Sequence, residues 1–188
     1  MDNSNEITVK INTDFRSLVE HLLSQGFRLT EKFNLDDIYY IKKDTDLSLD
    51  VLEIIKDTVL IRKHTEKDFS KTYLTSKKKE FNSKGEILSQ QKVDLEIISA
   101  EDAKTFLKML GYKELMPIHA QIETYEKGDL GICIQWVNND YLLVEVEEKG
   151  KLDTVDKLIS ALDSTQIDYD KSNYFVKKAQ LIFEEKYR

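Results

Sequence analysis

The sequence predicts an α+β protein, built from antiparallel strands and a smaller number of amphipathic helices. Three observations lead to this prediction. Several segments alternate between aliphatic and charged residues, so each such strand has one apolar face and one charged face. Other segments repeat apolar residues at helical spacing behind residues that cap helices. Turn residues, chiefly Gly, Asn and Asp, separate these segments.

Charged residues spaced two apart mark the clearest strands, which are residues 6–10, 92–96 and 144–147. If such strands close into a barrel with their charged faces inward, they line a polar tunnel suited to metal ions and highly charged anions. If the sheet stays open, the same charges face water. The residues alone leave both arrangements open.

The first half of the chain is predicted to start with a strand over residues 6–12. A helix capped by Asp14 follows and ends at Gly26. Further strands are expected at 36–42, 47–52, 59–63, 72–79 and 89–98, with a turn at 57–58 and a polar hairpin tip at 82–85.

The second half is predicted to open with a helix that starts in a capping box formed by Ser99 and Asp102 and ends at Gly111. The single Pro117 predicts a loop after that helix. Strands are then expected at 119–126, 130–137 and 141–148, and helices at 154–162 and 172–186.

The order of elements repeats once along the chain. A strand, a helix, a Gly-aromatic pair and several strands occur twice, with the pairs at residues 26–27 and 111–112. This order indicates two related halves within one domain over residues 1–188.

Composition limits the classes of protein. The 188 residues are 40% hydrophobic, enough for one sizeable core. A net charge of -7 argues against a nucleic-acid partner, because phosphate backbones attract basic surfaces. Cys133 is the only cysteine, which excludes an intrachain disulfide and fits a reducing cytoplasm. No apolar run approaches the length of a membrane span, so we expect a cytoplasmic protein without a membrane partner.

Side chains must hold any bound phosphate, because the six glycines are scattered and form no phosphate-binding loop. The three histidines have no spacing typical of metal ligands. No arrangement of Ser, Cys or His indicates a covalent nucleophile.

The order of short motifs resembles the CYTH superfamily of triphosphate tunnel enzymes, which includes class IV adenylyl cyclases and thiamine triphosphatases. The resemblance covers nearly the whole chain. It depends on order and spacing, since each motif alone is short. The matching segments are 6–10 (EITVK), 35–40 (LDDIYY), 59–62 (VLIR), 74–77 (LTSK), 92–96 (KVDLE), 110–112 (LGY), 143–147 (LVEVE) and 172–174 (SNY).

The resemblance implies an eight-stranded antiparallel β-barrel that forms a tunnel, with flanking helices. Cations inside such a tunnel grip a small triphosphate, and acids hold Mg²⁺ or Mn²⁺. The phosphate-binding residues implied here are Lys10, Arg62, Lys77 and Lys92. The metal ligands implied here are Glu6, Glu145, Glu147, Glu96 and Asp94.

Departures from the family pattern weaken both halves of that site. Leucine, alanine and isoleucine stand where the family has cations, at Leu60, Ala120 and Ile122. Neutral polar residues stand where the family has acids, at Thr8 and Gln135. Each lost charge-assisted contact removes about 1.5–3 kcal/mol of phosphate binding. Because two of the family's acids are missing, metal binding is expected to be weak or absent.

Several candidate residues have a structural interpretation as well. Glu145 and Glu147 are equally typical of the solvated face of an edge strand. The charges at 92–96 could form an exposed ion-pair ladder, and Lys77 lies in a basic run. Asp37 fits either a metal site or a structural hydrogen bond with Tyr39.

Two functions remain open at this point. One is a metal-dependent triphosphate hydrolase or a related adenylyl cyclase. The other is a degenerate tunnel that binds an anionic ligand or partner without turnover. The partner expected in either case is a small-molecule polyphosphate, and the sequence predicts no particular oligomeric state.

Overall fold

The computed structural model describes residues 6–81, 87–147 and 149–188, without the side chains of Lys79, Phe81 and residues 87–90. The predicted hairpin tip at 82–85 lies outside the described residues. The elements in chain order are β1 (Glu6–Lys10), α1 (Phe15–Ser24), β2 (Arg28–Lys42), α2 (Val51–Ile55), β3 (Asp57–Thr65), β4 (Ser70–Phe81), β5 (Ile87–Ile97), α3 (Ala100–Met109), β6 (Tyr112–Lys127), β7 (Leu130–Val137), β8 (Tyr141–Glu147), α4 (Val155–Ser164) and α5 (Lys178–Tyr187).

The eight strands form one sheet in the order β1-β8-β7-β6-β2-β3-β4-β5. The pairs β1–β8, β2–β3, β3–β4, β4–β5, β6–β7 and β7–β8 are antiparallel. These strands and the helices confirm the predicted α+β class with eight antiparallel strands. In the part of the chain that the structure describes, no helix has the length and apolar character of a membrane span.

The chain divides into two compact units. Among the described residues, unit 1 contains 34–81, 87–119 and 178–188, and unit 2 contains 6–33, 120–147 and 149–177. Strands β2 and β6 each contribute residues to both units. The prediction of a single domain over 1–188 stays a prediction.

The strand order confirms the internal repeat. The first four strands correspond to the last four. Exchanging β1 with β5, β2 with β6, β3 with β7 and β4 with β8 gives the same strand order, read in reverse. A helix follows β1 in unit 2 and β5 in unit 1. Both helices end before a glycine with positive φ, Gly26 at 86° and Gly111 at 80°. Glycine fits there because it has no Cβ to clash in the left-handed region.

The apolar strand faces pack against helices. In unit 2, α1 and α4 bury Leu18, Leu22, Leu158 and Leu162 in a core with the aliphatic residues of β1, β7 and β8. In unit 1, α3 buries Ala103 and Leu107 against Tyr40 and Ile61. Because side chains alternate along a strand, this packing leaves the other face of each strand for polar residues.

Two predictions around residue 50 are wrong. Residues 47–52 form no strand; a turn leads instead into α2, where Asp50 caps the helix by accepting a hydrogen bond from the backbone N–H of Leu52 at 2.8 Å. The buried residues Val51, Ile54 and Ile55 have helical spacing, which the alternating interpretation overlooked. Residues 57–58 form no turn, since β3 begins at Asp57.

Three element boundaries also differ from the predictions. Pro117 lies inside β6 rather than in a loop, three residues before the pairing of β6 with β7 starts at Ala120. Strand β2 starts at Arg28, eight residues before the predicted start. Helix α5 starts at Lys178, six residues after the predicted start.

The predicted caps of α1 and α3 are present. The Asp14 carboxylate accepts hydrogen bonds from the Ser17 backbone N–H at 3.0 Å and from the Ser17 hydroxyl at 2.6 Å. The Ser99 hydroxyl accepts from the Asp102 backbone N–H at 3.1 Å. Each cap satisfies a backbone donor that the first turn of a helix leaves without a partner.

Replacing Asp14 by Ala should lower the free energy of unfolding by about 1 kcal/mol, because the first turn of α1 loses its acceptor. Urea denaturation measures this change. Asp14→Asn is the matched control, since an amide oxygen still accepts the hydrogen bond. A similar loss of stability in both variants would contradict the capping role.

Candidate functional site

Three of the four predicted cations, Arg62, Lys77 and Lys92, lie on one face of β2 to β5 in unit 1. Strand register defines three rows of neighbouring residues across these strands. The rows are Asp37, Arg62, Tyr73 and Glu96; Tyr39, Leu60, Thr75 and Asp94; and Thr58, Lys77 and Lys92. We call these residues the polar face of unit 1. The intervening residues Ile38, Ile61 and Leu74 point to the core beneath α3.

A buried ion pair between Arg62 and Asp37 occupies the first row. The guanidinium donates two hydrogen bonds to the carboxylate, from Nε and Nη2, each at 2.6 Å. The side chains of Arg62 and Asp37 are 14% and 1% exposed. Such a fork-to-fork contact is strong because both groups are charged and planar.

Charge keeps Asp37 ionised in spite of its burial. Burial raises the pKa of this carboxyl, but the hydrogen bonds and charge of Arg62, with the charges of Lys178 and Lys77, outweigh it and lower the pKa. The same partnership raises the pKa of the Arg62 guanidinium against the effect of its burial. Three cations therefore act on one buried carboxylate.

Lys92 and Asp94 extend the polar face along β5. Asp94 pairs with Lys92 at 2.7 Å and accepts a hydrogen bond from the Thr75 hydroxyl at 2.6 Å. Burial raises the pKa of Asp94, while these two partners and Arg62 lower it, and the net shift is downward. Lys71 pairs with Glu96 at 2.9 Å. These contacts form the ion-pair ladder that was the structural alternative for residues 92–96.

Apolar residues fill the deeper part of the polar face. Leu60 is fully buried and Tyr39 is 5% exposed. Burial, followed by the nearby charge of Asp37, raises the pKa of the Tyr39 hydroxyl. Helix α2 packs against β3 and α5 in the same unit. The position at which the family pattern has an additional arginine thus carries a packed leucine.

The predicted acids of unit 2 come from β1 and β8, where Glu6 lies opposite Glu147. Partial burial of the Glu147 carboxyl, followed by the charges of Glu6 and Glu31, raises its pKa. Three carboxylates therefore interact in this region. Glu31 comes from β2, and sequence reasoning missed it because the predicted strand started too late; extending the strand to Arg28 would have included it.

Glu145 has protein donors as partners. Its Oε2 accepts a hydrogen bond from the Gln135 amide at 3.0 Å and lies 3.5 Å from the Thr8 hydroxyl. Gln135 and Thr8 are the two positions at which the family pattern has acids. In this chain, donors at those positions bind the acid that remains.

The other predicted positions of unit 2 are less polar. Ala120 and Ile122 are 1% and 3% exposed, where the family pattern has cations. The Lys10 ammonium lies 5.7 Å from the centre of the Tyr141 ring. In unit 1, sequence reasoning missed Lys178 as a cation acting on Asp37, because the start of α5 carries no recognisable motif.

A metal ion would depend on more than these side chains. Across residues 6–81, 87–147 and 149–188, no group of three or more His, Cys, Asp and Glu residues is arranged to hold a metal ion. The Glu6–Glu147 pair fits Mg²⁺ that uses one or two carboxylates and takes its remaining ligands from phosphate and water.

Comparisons with known proteins agree with this fold. No family model matches the chain. A protein of Methanocaldococcus jannaschii named "Putative adenylate cyclase MJ0240" is 27% identical over 158 residues, which cover 84% of this chain and 83% of that protein.

Two solved structures are similar over almost their whole length. The PH1819 protein of Pyrococcus horikoshii has a TM-score of 0.70 at 20% identity, covering 96% of this chain and 99% of that one. HpAC1 from Hippeastrum, described as a "Putative adenylyl cyclase" with a dominant triphosphatase activity, has a TM-score of 0.65 at 13% identity, covering 97% and 96%. At these identities the likeness is one of fold.

Replacing Asp37 by Asn should destabilise the protein by about 3 kcal/mol, because it leaves the buried Arg62 cation without its counter-charge. The loss should shrink as the pH falls. A carboxyl with a lowered folded pKa contributes stability above its unfolded pKa and loses it on acidification through the folded pKa. Urea denaturation between neutral and acidic pH measures both effects; a loss independent of pH would contradict this assignment.

Replacing Glu147 by Gln should stabilise the protein at neutral pH by less than about 1 kcal/mol, since the charges involved are partly exposed. The raised pKa means that the folded state favours protonated Glu147. Ionised Glu147 therefore lowers the stability of the wild-type protein; this loss is absent below the unfolded pKa and complete once the pH has risen through the folded pKa. Thermal unfolding at several pH values measures the difference. A destabilised variant at neutral pH would contradict the repulsion from Glu6 and Glu31.

Proposed function

We propose that this chain is a divergent CYTH-like protein that binds a small triphosphate. Within unit 1, the cations Arg62, Lys77 and Lys178 would grip the phosphates. Within unit 2, the acids would hold Mg²⁺ or Mn²⁺. The proposed activity is metal-dependent hydrolysis of the triphosphate or the related adenylyl cyclase reaction.

The observation that carries the proposal is the convergence of three cations on Asp37. Their positive charge lowers the pKa of a carboxyl whose burial raises it. The positive charges of Arg62, Lys77 and Lys178 attract anionic oxygens to this part of unit 1. Arg suits phosphate through its planar fork, and Lys binds phosphate as a point charge.

The acids contribute to the same proposal through their electrostatics. Glu6, Glu31 and Glu147 repel one another, as the raised pKa of Glu147 indicates. A divalent cation relieves such repulsion, and Glu6 with Glu147 would hold it. When bound, Mg²⁺ or Mn²⁺ neutralises charge that develops on phosphate oxygens.

The comparisons support the class of ligand. The relative from M. jannaschii carries the name of an adenylate cyclase, and HpAC1 is described with a triphosphatase activity. The segments that resemble the CYTH family include the strands that carry Arg62, Lys77 and Glu147. Two of these three residues, Arg62 and Lys77, lie on the polar face of unit 1.

A second candidate function is binding without turnover. The buried Leu60, Ala120 and Ile122 favour it, because they fill positions at which the family pattern has phosphate-binding cations. The hydrogen bonds from Gln135 and Thr8 to Glu145 favour it too, since they satisfy a carboxylate that a metal would otherwise use.

Titration of the protein with inorganic triphosphate, ATP and thiamine triphosphate, each with Mg²⁺ or Mn²⁺, separates the two functions. Calorimetry follows binding, and release of phosphate or cyclic AMP follows turnover. Binding with turnover supports the enzyme, and binding without turnover supports the second candidate. Absence of binding to every triphosphate would contradict both.

Replacing Lys77 or Lys178 by Met should weaken triphosphate binding about tenfold or more, since each contact of a charged group to phosphate contributes about 1.5–3 kcal/mol. Lys157→Met is the matched control. Lys157 lies on α4 in unit 2, where it pairs with Asp153. An equal effect of all three changes would indicate only a general dependence on net charge.

The double change Glu6→Gln, Glu147→Gln should abolish the metal dependence of binding while leaving metal-free binding of triphosphate in place. Titration of the variant with and without Mn²⁺ measures this. Unchanged metal dependence would contradict the assignment of these acids.

A further inference from the structure

Strand β5 lies at one end of the sheet and has a pronounced apolar side. Within the described part of the chain, β5 ends the strand order and β4 is its one neighbour. Val93 and Leu95 are 55% and 56% exposed, although both point to the side of the sheet on which α3 packs. Helix α3 lies against β3, and the exposure of Val93 and Leu95 shows that both side chains are largely uncovered.

An edge strand of this kind is an incomplete surface. Its outer backbone N–H and C=O groups are placed to accept another strand, and exposed aliphatic residues on it favour such pairing. Proteins commonly protect edges with short strands, proline or inward-pointing charge. Strand β5 runs for eleven residues and contains no proline.

The charge pattern of β5 indicates which strand would pair with it. On the face opposite Val93 and Leu95, the strand carries Lys92, Asp94 and Glu96. When β5 is paired antiparallel with a second β5 about a twofold axis at Asp94, each Lys92 faces a Glu96 of the other copy. In the same register each Val93 faces a Leu95. The strand is thus complementary to itself on both faces, as a twofold contact requires.

The central Asp94 does not oppose this arrangement strongly. Its carboxylate already pairs with Lys92 of the same chain at 2.7 Å and accepts a hydrogen bond from Thr75 at 2.6 Å. Like charges directly opposite each other are destabilising, and the Lys92 ammonium and the Thr75 hydroxyl offset part of this repulsion.

We propose that β5 is the interface of a homodimer, in which the β5 strands of two copies pair antiparallel about an axis at Asp94. The contact consists of the segment around Lys92–Glu96 from each copy. An interface of this size is small, so the dimer is weak and forms reversibly with concentration. The proposal does not require triphosphate binding, because it is argued from the edge strand, although Lys92 and Asp94 also belong to the polar face of unit 1.

Sedimentation velocity from about 10 to about 500 µM tests the dimer, a range suited to weak interfaces. The wild-type protein should change from monomer to dimer over this range. Val93→Lys combined with Leu95→Lys should weaken association at least tenfold. The matched control is Met109→Lys, because Met109 is an exposed apolar residue on α3, 81% exposed and outside the proposed contact; it should dimerise like the wild type.

Exchange of charges tests the register. Lys92→Glu and Glu96→Lys alone each place like charges opposite one another and should weaken the dimer. The double variant restores opposite charges between the copies and should recover wild-type association.

Three results would overturn the proposal. They are a monomer at all concentrations, a dimer that the Val93 and Leu95 changes leave intact, and a double charge variant that remains as weak as the single ones. A monomer at all concentrations would leave the β5 edge open to an extended segment of a different protein.

Discussion

The bidentate pair between Arg62 and Asp37 is the contact on which the polar face of unit 1 depends. Burial disfavours the charge of either group alone, and each charge is compensated because the other group is 2.6 Å away. The pair holds the guanidinium in one orientation, and Lys77 and Lys178 add positive charge around it. A face of strands that packing alone would make apolar therefore stays polar and charged.

The two units share a strand plan and differ in their chemistry. In unit 1 three cations act on the carboxylate of Asp37, whereas in unit 2 the acids Glu6, Glu31 and Glu147 interact. In both units apolar or neutral residues stand where the CYTH pattern has charges, but they differ in effect. Leu60 fills space, while Gln135 donates a hydrogen bond to Glu145 and so changes what that acid can bind. The departures from the family pattern are thus parts of a packed and hydrogen-bonded structure.

The sequence predicted features that depend on local chemistry. The caps at Asp14 and Ser99, the left-handed glycines and the β4–β5 and β7–β8 pairs follow from neighbouring residues, and the structure confirms them. Features that depend on distant contacts could not be predicted in the same way. Helix α2 was mistaken for a strand because five residues carry too little periodicity, and the partner of Asp37 is Arg62 rather than Tyr39 because strand register brings β3 beside β2. Glu31 and Lys178 interact with the predicted residues through tertiary structure, which no short motif records.

The central claim is that the polar face of unit 1, around Arg62, binds polyphosphate oxygens. It is tested most directly by ¹H–¹⁵N NMR of the Arg62 side chain during titration with inorganic triphosphate. The account predicts that the Nε–H signal, already protected from exchange by Asp37, shifts saturably as triphosphate binds, while the Nε–H signal of Arg16, which pairs with Glu20 on the exposed face of α1, stays in place. Unchanged Arg62 signals at saturating triphosphate, or equal shifts at both arginines, would contradict it.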